Sequence, residues 1–362
     1  MDWDIALVED LAIAKRRAFI ISALKALVFS SLLGLLFLYN MNRPRIMVLH
    51  SYDPTVDLVK DFENGIKKSL ENEIEPLVET YYMNMLSKNT IKQKTNAGQD
   101  AKSAISVFKP RIIIAVGDEA QEFAAKFYVG RKKIRVIFCG VKGDFKKFGY
   151  DPGKNVAGIL EVPPTAEINT VINNILPHKK NIRLAHLGDA TTMVNLTEKL
   201  LAGHRWNNVQ FIDSVKVSDF ANFKKAATIL NTRCDILLVS GYRGLQNVSG
   251  SEQESSEELM KWLVTNTSIP ILSTIGYAVE EGAGIAILPS AYEQGRLAMQ
   301  VALKIMKNMD ILPCVSTNVF AVFLNDDHIK DRQLNIAPIY RSFAVSIKKI
   351  YSKDKKNQER ND

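Results

Sequence analysis

The feature that most constrains this chain is one apolar run near its N-terminus, AFIISALKALVFSSLLGLLFLY, at residues 18–39. At about 1.5 Å of rise per residue, this run makes roughly 33 Å of helix, which matches the hydrocarbon thickness of a bilayer. Only Lys25 interrupts it, near its basic end, where the long side chain can reach back to the interface. The run is therefore predicted to be a transmembrane helix.

Two other interpretations of the run are weaker. A cleaved signal peptide needs small residues at its cleavage site, whereas this run ends in the bulky sequence FLYNM (37–41) and no Cys follows directly for lipidation. A buried core helix would be shorter and would have a polar face. An uncleaved signal anchor at 18–39 fits best, and residues 1–17 become a cytoplasmic stub.

The charges that flank the run set its orientation. Lys15, Arg16 and Arg17 precede it, while Arg43 and Arg45 follow it. The positive-inside rule places the N-terminus in the cytoplasm, although by a modest margin. We therefore predict a single-pass protein of the bacterial inner membrane, with its main domain in the periplasm or outside the cell.

Size and charge limit what this domain can be. The roughly 320 residues after the anchor exceed what one core usually supports, so two lobes are expected. The net charge of +8 belongs to this part, because Lys15, Arg16, Arg17 and Lys25 are cancelled by Asp2, Asp4, Glu9 and Asp10. Such a charge favours an anionic membrane surface, ligand or partner. The cations are scattered and no basic-aromatic array occurs, which argues against nucleic acid.

Metal and disulfide signals are weak. Cys139, Cys234 and Cys314 are an odd number of widely spaced cysteines, which we predict to be buried free thiols. An oxidising compartment permits a disulfide, but the sequence does not choose a pair. The histidines form no close pair and no HExxH occurs, so neither a metal nor a cofactor is predicted.

After the anchor, short apolar strands alternate with amphipathic helices. Near-continuous runs such as IIIAV (112–116) are typical of parallel strands covered on both faces. The pattern restarts after Pro163 and Pro164, and a further helix and strand follow the second set. The predicted class is α/β, with two doubly wound Rossmann-like lobes. The predicted strands are Arg45–His50, Glu75–Tyr81, Arg111–Val116, Ile134–Cys139 and Asn155–Leu160, then Ile182–Leu187, Val209–Val215, Ile236–Val239, Ile269–Ser273 and Gly284–Leu288.

The residues that follow these strands are the candidate ligand site, because doubly wound sheets bind ligands beyond the carboxyl ends of their strands. Glycines let backbone amides approach a ligand, tyrosines supply apolar walls with a polar tip, and carboxylates pair with an ammonium group. The first-lobe candidates are Ser51, Tyr52, Asp53, Gly117, Asp118, Glu119, Gly140 and Glu161. The second-lobe candidates are Gly188, Asp189, Ser240, Gly241, Tyr242, Thr274, Gly276 and Tyr277.

Several candidates also have structural explanations. Asp53 precedes Pro54 and can be a turn residue, and Ser51 or Asp118 can cap a helix. Tyr277 can pack between elements, and Arg243 can be a solvated loop charge. Catalytic patterns are missing from the sequence, since it contains no G-x-S-x-G elbow, no G-x-x-x-x-G-K-[ST] loop and no G-x-G-x-x-G after the first strand. No enzymatic activity is predicted.

The order and spacing of several segments carry a family resemblance. These segments are VLHSYDP (48–54), IIIAVGDEA (112–120), VIFCGVKGD (136–144), NVAGILEVPP (155–164), LPHKKNIRLAHLGD (176–189) and IPILSTIGYAVEEGAGIAILPSAYEQGRLA (269–298). With them, the chain from Arg45 to about Tyr340 resembles the ABC-transporter substrate-binding proteins of the type 1 periplasmic binding fold, in the tryptophan/tyrosine branch.

This resemblance implies two lobes that close over a small ligand, with the candidate turns in contact with it. The implied lobes are 43–160 plus 289–317 and 161–288 plus 318–345, followed by a charged tail at 346–362. The implied hinges lie near Leu160–Glu161, Leu288–Ser290 and Thr317–Val319.

Two departures from typical members shape the functional hypothesis. Typical members diffuse freely or carry a lipid anchor, whereas this chain has a predicted transmembrane anchor. The sequence CGVKGDFKKFGYD (139–151) also places Lys142, Lys146 and Lys147 near the cleft mouth. We therefore expect an anchored periplasmic binding protein that captures a small, amino-acid-like ligand and delivers or reports it to a membrane partner (a permease, a sensor kinase, a chemoreceptor or another complex). The alternative is a ligand-free scaffold subunit that retains the fold.

Overall fold

The computed structural model describes residues 2–73, 76–141, 145–151, 155–247, 255–308, 314–317 and 319–347. Lys142 and the predicted charged tail from residue 348 onward lie outside the described residues. The chain begins with one long helix, α1 (Asp2–Asn42), which contains both the stub and the apolar run. Its segment Phe19–Asn40 is long and apolar enough to cross a membrane, and none of it is buried inside the protein.

The first lobe is a parallel sheet covered on both faces. Its strands are β1 (Arg45–His50), β2 (Leu77–Tyr82), β3 (Ile112–Val116), β4 (Arg135–Val141), β5 (Val156–Leu160) and β11 (Cys314–Ser316). In the part of the chain that the structure describes, they lie in the order β11-β5-β4-β3-β1-β2. The helices of this lobe are α2 (Asp57–Leu70), α3 (Ile91–Phe108), α4 (Asp118–Phe123) and α10 (Ala291–Met306). Alternate residues of β1 and β3 enter two separate apolar cores, one on each face.

The second lobe repeats this plan with one antiparallel pair. Its strands are β6 (Ile182–Asp189), β7 (Val209–Val217), β8 (Ile236–Gly241), β9 (Ile271–Ser273), β10 (Ile285–Pro289), β12 (Phe320–Asn325) and β13 (Val345–Ile347). Among the described residues their order is β13-β12-β10-β9-β8-β6-β7, and β12 runs antiparallel to β10. The helices are α5 (Thr165–Ile175), α6 (Thr192–Gly203), α7 (Phe220–Arg233), α8 (Ser256–Asn266), α9 (Tyr277–Glu280), α11 (Asp326–Asp331) and α12 (Pro338–Phe343).

The chain passes between the two sheets at three places in the described residues: from β5 to α5, from β10 to α10, and from β11 to β12. The second crossing brings α10 against α2, where two glycines let the backbones touch. A Cβ added to Gly295 would lie 2.0 Å from the carbonyl oxygen of Phe62, and one added to Gly65 would lie 1.9 Å from that of Tyr292. This close crossing fastens the returning chain to the first lobe.

The predicted fold class is confirmed, and each predicted strand is present. Several strands run further than predicted, and three of them take in candidate site residues: β4 reaches Val141, β6 reaches Asp189 and β8 reaches Gly241. Gly140, Gly188, Asp189, Ser240 and Gly241 therefore lie in the last residues of strands rather than in the turns after them. The reason is that backbone pairing continues past the apolar run, through register shifts in β4 and between β6 and β8.

Candidate ligand-binding site

The turn after β1 is held to the end of β3 by Ser51. Its buried hydroxyl donates to the carbonyl of Val116 at 2.9 Å and accepts from the backbone N–H of Ala120 at 2.9 Å. Gly117 has φ of +87°, and a Cβ there would lie 2.6 Å from the Ser51 oxygen. Ser51 and Gly117 thus shape the floor of the first lobe, and the Ser51 hydroxyl is engaged inside it.

Tyr52, the next residue, is half-buried. Burial is the main cause that raises the pKa of its phenol, and the nearby carboxylates of Glu119, Asp118 and Glu161 raise this pKa further. The guanidinium of Arg243 acts in the opposite direction and lowers it. Because Arg243 belongs to the second lobe and Asp118 and Glu119 to the first, the Tyr52 phenol is within electrostatic reach of charges on both lobes.

Two of these carboxylates each lie near a lysine. The Asp118 carboxylate, at the start of α4, lies 3.4 Å from the Lys147 ammonium, and that of Glu119 lies 3.7 Å from Lys94. These distances exceed the 2.7–2.9 Å or so of a charge-assisted hydrogen bond, and all four side chains are partly exposed. The pairs are therefore loose. Lys147 thus lies close to the carboxylate of Asp118.

Asp53 and Gly140 make contacts that shape the backbone. The Asp53 carboxylate accepts from the N–H of Thr55 at 2.9 Å and from its hydroxyl, and these bonds lower the pKa of Asp53. This is the turn interpretation considered for Asp53. Gly140 has φ of +59°, and its N–H donates to the Gln294 side chain of α10 at 3.1 Å.

The second lobe presents a connected group of two tyrosines, an arginine and a glutamate. The buried Tyr242 hydroxyl donates to Glu281 Oε2 at 2.6 Å, and Arg243 Nη2 donates to Glu281 Oε1 at 2.6 Å. The Arg243 guanidinium carbon lies 3.6 Å from the centre of the Tyr277 ring, which meets the Tyr242 ring edge-on at 5.5 Å. Arg243 is thus not a freely solvated loop charge.

Tyr277 completes the link between the lobes. Burial raises the pKa of its phenol, and Arg243 is the strongest opposing influence, since the cation lowers that pKa. The phenol of Tyr52 raises it slightly from across the boundary. Tyr52 and Tyr277 therefore influence each other electrostatically from opposite lobes.

Asp189 fixes the loop that carries Arg243. One carboxylate oxygen accepts from the Thr191 N–H at 3.1 Å and from its hydroxyl at 2.5 Å, and the other accepts from the Gly244 N–H at 2.9 Å. The carboxylate is buried and holds the loop that carries Arg243. Asp189 is engaged inside the second lobe.

Gly188 and Gly241 are needed for helix packing. A Cβ on either would lie 2.5 or 2.7 Å from a methyl group of Val194 in α6. Gly276 has an ordinary helical φ of −64°, and a Cβ there would meet the Phe323 ring only at 3.6 Å. Thr274 is almost fully buried beside it, with 9% of its surface exposed.

Ser240 forms a buried relay with a histidine that the sequence analysis did not select. His186 Nε2 lies 2.6 Å from Ser240 Oγ, and its Nδ1 lies 2.8 Å from Ser214 Oγ. Burial lowers the pKa of His186 to about 4, so the ring is neutral at pH 7 and gives one hydrogen bond while accepting the other. The relay ties β7, β6 and β8 together under the Arg243 loop.

The structure thus divides the predicted residues into two groups. The first group is linked by contacts or by electrostatic influence on Tyr52 and Tyr277, together with Arg243 and Glu281: Tyr52, Asp118, Glu119, Glu161, Tyr242 and Tyr277. The others shape the strand ends. Glu281 was missed, although its position four residues after Tyr277 is a usable signal for a shared helical face. The three cysteines are free; Cys139 and Cys234 are buried as predicted, whereas Cys314 is only half-buried. No cluster of three or more metal-ligating side chains occurs in the described ranges.

Comparison with known proteins identifies the fold. The ligand-free, open structure of a substrate-binding protein with adhesive properties from Clostridium difficile matches with a TM-score of 0.61 at 14% identity, over 85% of this chain and 100% of that one. A conserved domain protein from Vibrio cholerae matches at 0.52, with 14% identity over 84% and 99%. The ABC domain from Streptococcus pneumoniae in complex with L-Trp matches at 0.51, with 14% identity over 84% and 99%. No family model and no curated protein matches the sequence. The predicted type 1 periplasmic binding fold is confirmed at the level of the fold.

Proposed function

We propose that the chain is a membrane-anchored binding protein that captures a small zwitterionic ligand of the amino-acid type between its lobes. The observation that carries this proposal is the Arg243 guanidinium, which is held at 2.6 Å by Glu281 and lies 3.6 Å from the centre of the Tyr277 ring. This cation also acts electrostatically on Tyr52 of the first lobe. Ligand contacts with both sides favour a closed arrangement to the extent that they are made only in that arrangement.

The charges at the boundary fit such a ligand. The first lobe supplies carboxylates near Tyr52, including Asp118 and Glu119, which complement an ammonium group. The second lobe supplies the Arg243 guanidinium, whose planar fork suits a carboxylate. One Arg243 nitrogen is taken by Glu281, and half of the side chain is exposed. A ligand with an ammonium and a carboxylate can therefore bridge the lobes.

The two tyrosine rings favour an apolar or aromatic side chain on the ligand. Aromatic walls with polar tips are common in small-molecule sites because they combine apolar area with hydrogen-bonding groups. The solved fold relative from Streptococcus pneumoniae is in complex with L-Trp. That ligand supports starting the search with aromatic amino acids.

The N-terminal helix supports a fixed location. Its apolar segment spans 22 residues, is unburied, and is followed almost directly by β1. An anchored binding protein does not diffuse to its partner, so we propose that it delivers or reports ligand to a partner in the same inner membrane. The main domain then faces the periplasm.

The experiment is thermal unfolding of the detergent-solubilised full chain with a panel of amino acids, peptides, sugars and nucleosides, followed by calorimetry. A ligand at 100 times its Kd stabilises the folded state by about 2.7 kcal/mol, which raises the Tm by several degrees. We expect the shift with amino acids and its loss in Arg243→Met. Arg205→Met, at an exposed arginine of the second lobe, is the control and should keep the shift. If no compound shifts the Tm, the ligand-free scaffold hypothesis replaces this one.

A further inference from the structure

The edge of the first sheet that faces away from the lobe boundary is rich in cations. Arg45 and Arg135 open β1 and β4, and Arg111 directly precedes β3, which lies between those two strands. Backbone hydrogen bonds link the three residues, from the Arg111 N–H to the Arg45 carbonyl (2.9 Å) and from the Arg135 N–H to the Arg111 carbonyl (2.8 Å). The turn before β4 adds Lys132 and Lys133. All these residues lie at the amino ends of the strands, opposite the candidate ligand site.

Most of these cations have no acidic partner. Lys109, Arg111, Lys132, Lys133 and Arg135 are all exposed, and none forms an ion pair with a carboxylate in the part of the chain that the structure describes. Arg45 is engaged, since it donates to the Phe108 carbonyl at 2.9 Å. The carboxylates at the nearby end of α2 are themselves paired, Glu71 with Lys68 and Glu73 with Lys307. The edge is therefore a positively charged surface, which we call the basic edge (Lys109, Arg111, Lys132, Lys133 and Arg135).

The corresponding edge of the second lobe is different. There, Lys179 and Arg183 both pair with Asp235, at 2.8 and 2.7 Å, and Arg233 pairs with Asp213 at 3.1 Å. Three cations at this edge of the second lobe thus pair with carboxylates, whereas none of the basic edge does so among the described residues. The difference calls for a reason specific to the first lobe.

That reason is the position of α1. The apolar segment ends at Asn40, helix α1 ends at Asn42, and β1 begins at Arg45. Two helical and two extended residues span at most about 10 Å. The start of β1 is therefore tied close to the point where the chain would leave a bilayer, at a distance comparable to one Debye length (about 8–10 Å).

We propose that the basic edge binds the anionic lipid headgroups of the bilayer that holds α1. Lysine and arginine next to an anionic leaflet are attracted to it, and the attraction needs no defined pocket. The exposed Val107, with 79% of its surface accessible at the end of α3, adds apolar contact beside Lys109. The first lobe would then rest on the membrane, with the ligand site facing away and the second lobe free to move. This inference rests on the membrane anchoring in the proposed function.

The experiment is lysine acetylation footprinting of the full chain in nanodiscs. Two bilayers are compared, phosphatidylcholine alone and phosphatidylcholine with phosphatidylglycerol, and Lys180 on the far edge of the second lobe serves as the internal reference. We expect acetylation of Lys109, Lys132 and Lys133, relative to Lys180, to slow by about tenfold in the anionic bilayer, and high salt to remove the difference.

Two charge-reversal variants test whether the slower acetylation depends on the basic edge. Arg111→Glu should abolish the slowing at Lys132 and Lys133, whereas Arg205→Glu, the same charge change on the second lobe, should leave it intact. Equal rates in the two bilayers, or equal slowing by inorganic phosphate with neutral nanodiscs, would overturn the lipid-binding surface. These outcomes leave ligand-induced Tm shifts untouched, so the two proposals fail separately. A chain that does not incorporate into either bilayer contradicts the anchor and this inference together.

Discussion

The guanidinium of Arg243 lies over the ring of Tyr277, with its central carbon 3.6 Å from the ring centre. The same group donates to the buried carboxylate of Glu281 at 2.6 Å. A cation stacked on an aromatic face and bonded in its own plane has little freedom to reorient. Arg243 is thus held in place before any ligand arrives, and this lowers the entropy cost of binding.

The first prediction concerns the replacement of this arginine by lysine. Arg243→Lys keeps the charge but loses the planar fork and the stacking on Tyr277. We expect the affinity for the identified ligand to fall by about tenfold or more, because a bidentate contact becomes a single one. Isothermal calorimetry measures this directly, and Arg205→Lys is the matched control. Unchanged affinity in Arg243→Lys would place the ligand away from this group.

The second prediction concerns the buried hydroxyl of Tyr242, which donates to the same carboxylate as Arg243. Tyr242→Phe removes the donor to Glu281 and leaves part of a buried carboxylate without its hydrogen bond. We expect the free energy of unfolding to fall by about 1.5–3 kcal/mol, as for other hydrogen bonds to charged groups. Denaturant unfolding measures the change. Tyr81→Phe, at a half-buried tyrosine, should cost less than about 0.5 kcal/mol, and equal losses in the two variants would contradict this role.

The strands could be predicted because their signal is local. Runs such as IIIAV are buried on both faces, and their composition alone indicates a parallel strand. The short strands β11 and β13 were not predicted, because three-residue strands carry too little pattern. They are strands through pairing with β5 and β12, a contact made far along the chain.

The sequence predicted which residues lie at the strand ends, but not which of them face the lobe boundary and which bond inside a lobe. Strand ends identified Ser51, Ser240 and Asp189, yet their polar atoms bond inside the lobes rather than facing the boundary. A register shift between β6 and β8 brings Ser240 to His186, and no sequence pattern shows such a shift. Which partner a polar side chain meets depends on the tertiary fold, and therefore a scan of strand ends finds candidates without separating their functions.

The third prediction tests the crossing of α2 and α10. Gly295→Ala would put a Cβ 2.0 Å from the backbone oxygen of Phe62, so the helices must separate. We expect a loss of about 3 kcal/mol or more in the free energy of unfolding, because backbone cannot yield as a side-chain tip can. Gly203→Ala, at the end of α6 with open space around its Cβ, is the control and should be neutral or stabilising by up to about 1 kcal/mol. Similar losses in both variants would show that the crossing is not tight.

The last prediction concerns acid stability and His50, at the end of β1. Its ring is fully buried, stacks on Tyr82 at 5.5 Å, and has no hydrogen-bond partner at either nitrogen within the described residues. The Glu63 carboxylate is its nearest charge, with Oε1 3.8 Å from Nε2. Burial lowers the pKa of His50 to about 4, whereas the unfolded chain titrates near 6.5.

Between these values the unfolded chain binds more protons than the folded one, so stability falls as the pH drops below about 6.5 and this loss levels off near pH 4. From pH 7 to pH 5 the contribution of His50 is about 2 kcal/mol. His50→Phe keeps the ring stack and cannot titrate. Between pH 7 and pH 5 we therefore expect its unfolding free energy to fall by about 2 kcal/mol less than that of the unmodified chain. His186 and His328, whose pKa values are also lowered to about 4, keep both proteins acid-sensitive. Denaturant unfolding at the two pH values measures the difference, with His178→Gln at an exposed histidine as the control. Parallel losses in His50→Phe and the unmodified chain would mean that His50 is protonated in the folded protein, paired with Glu63.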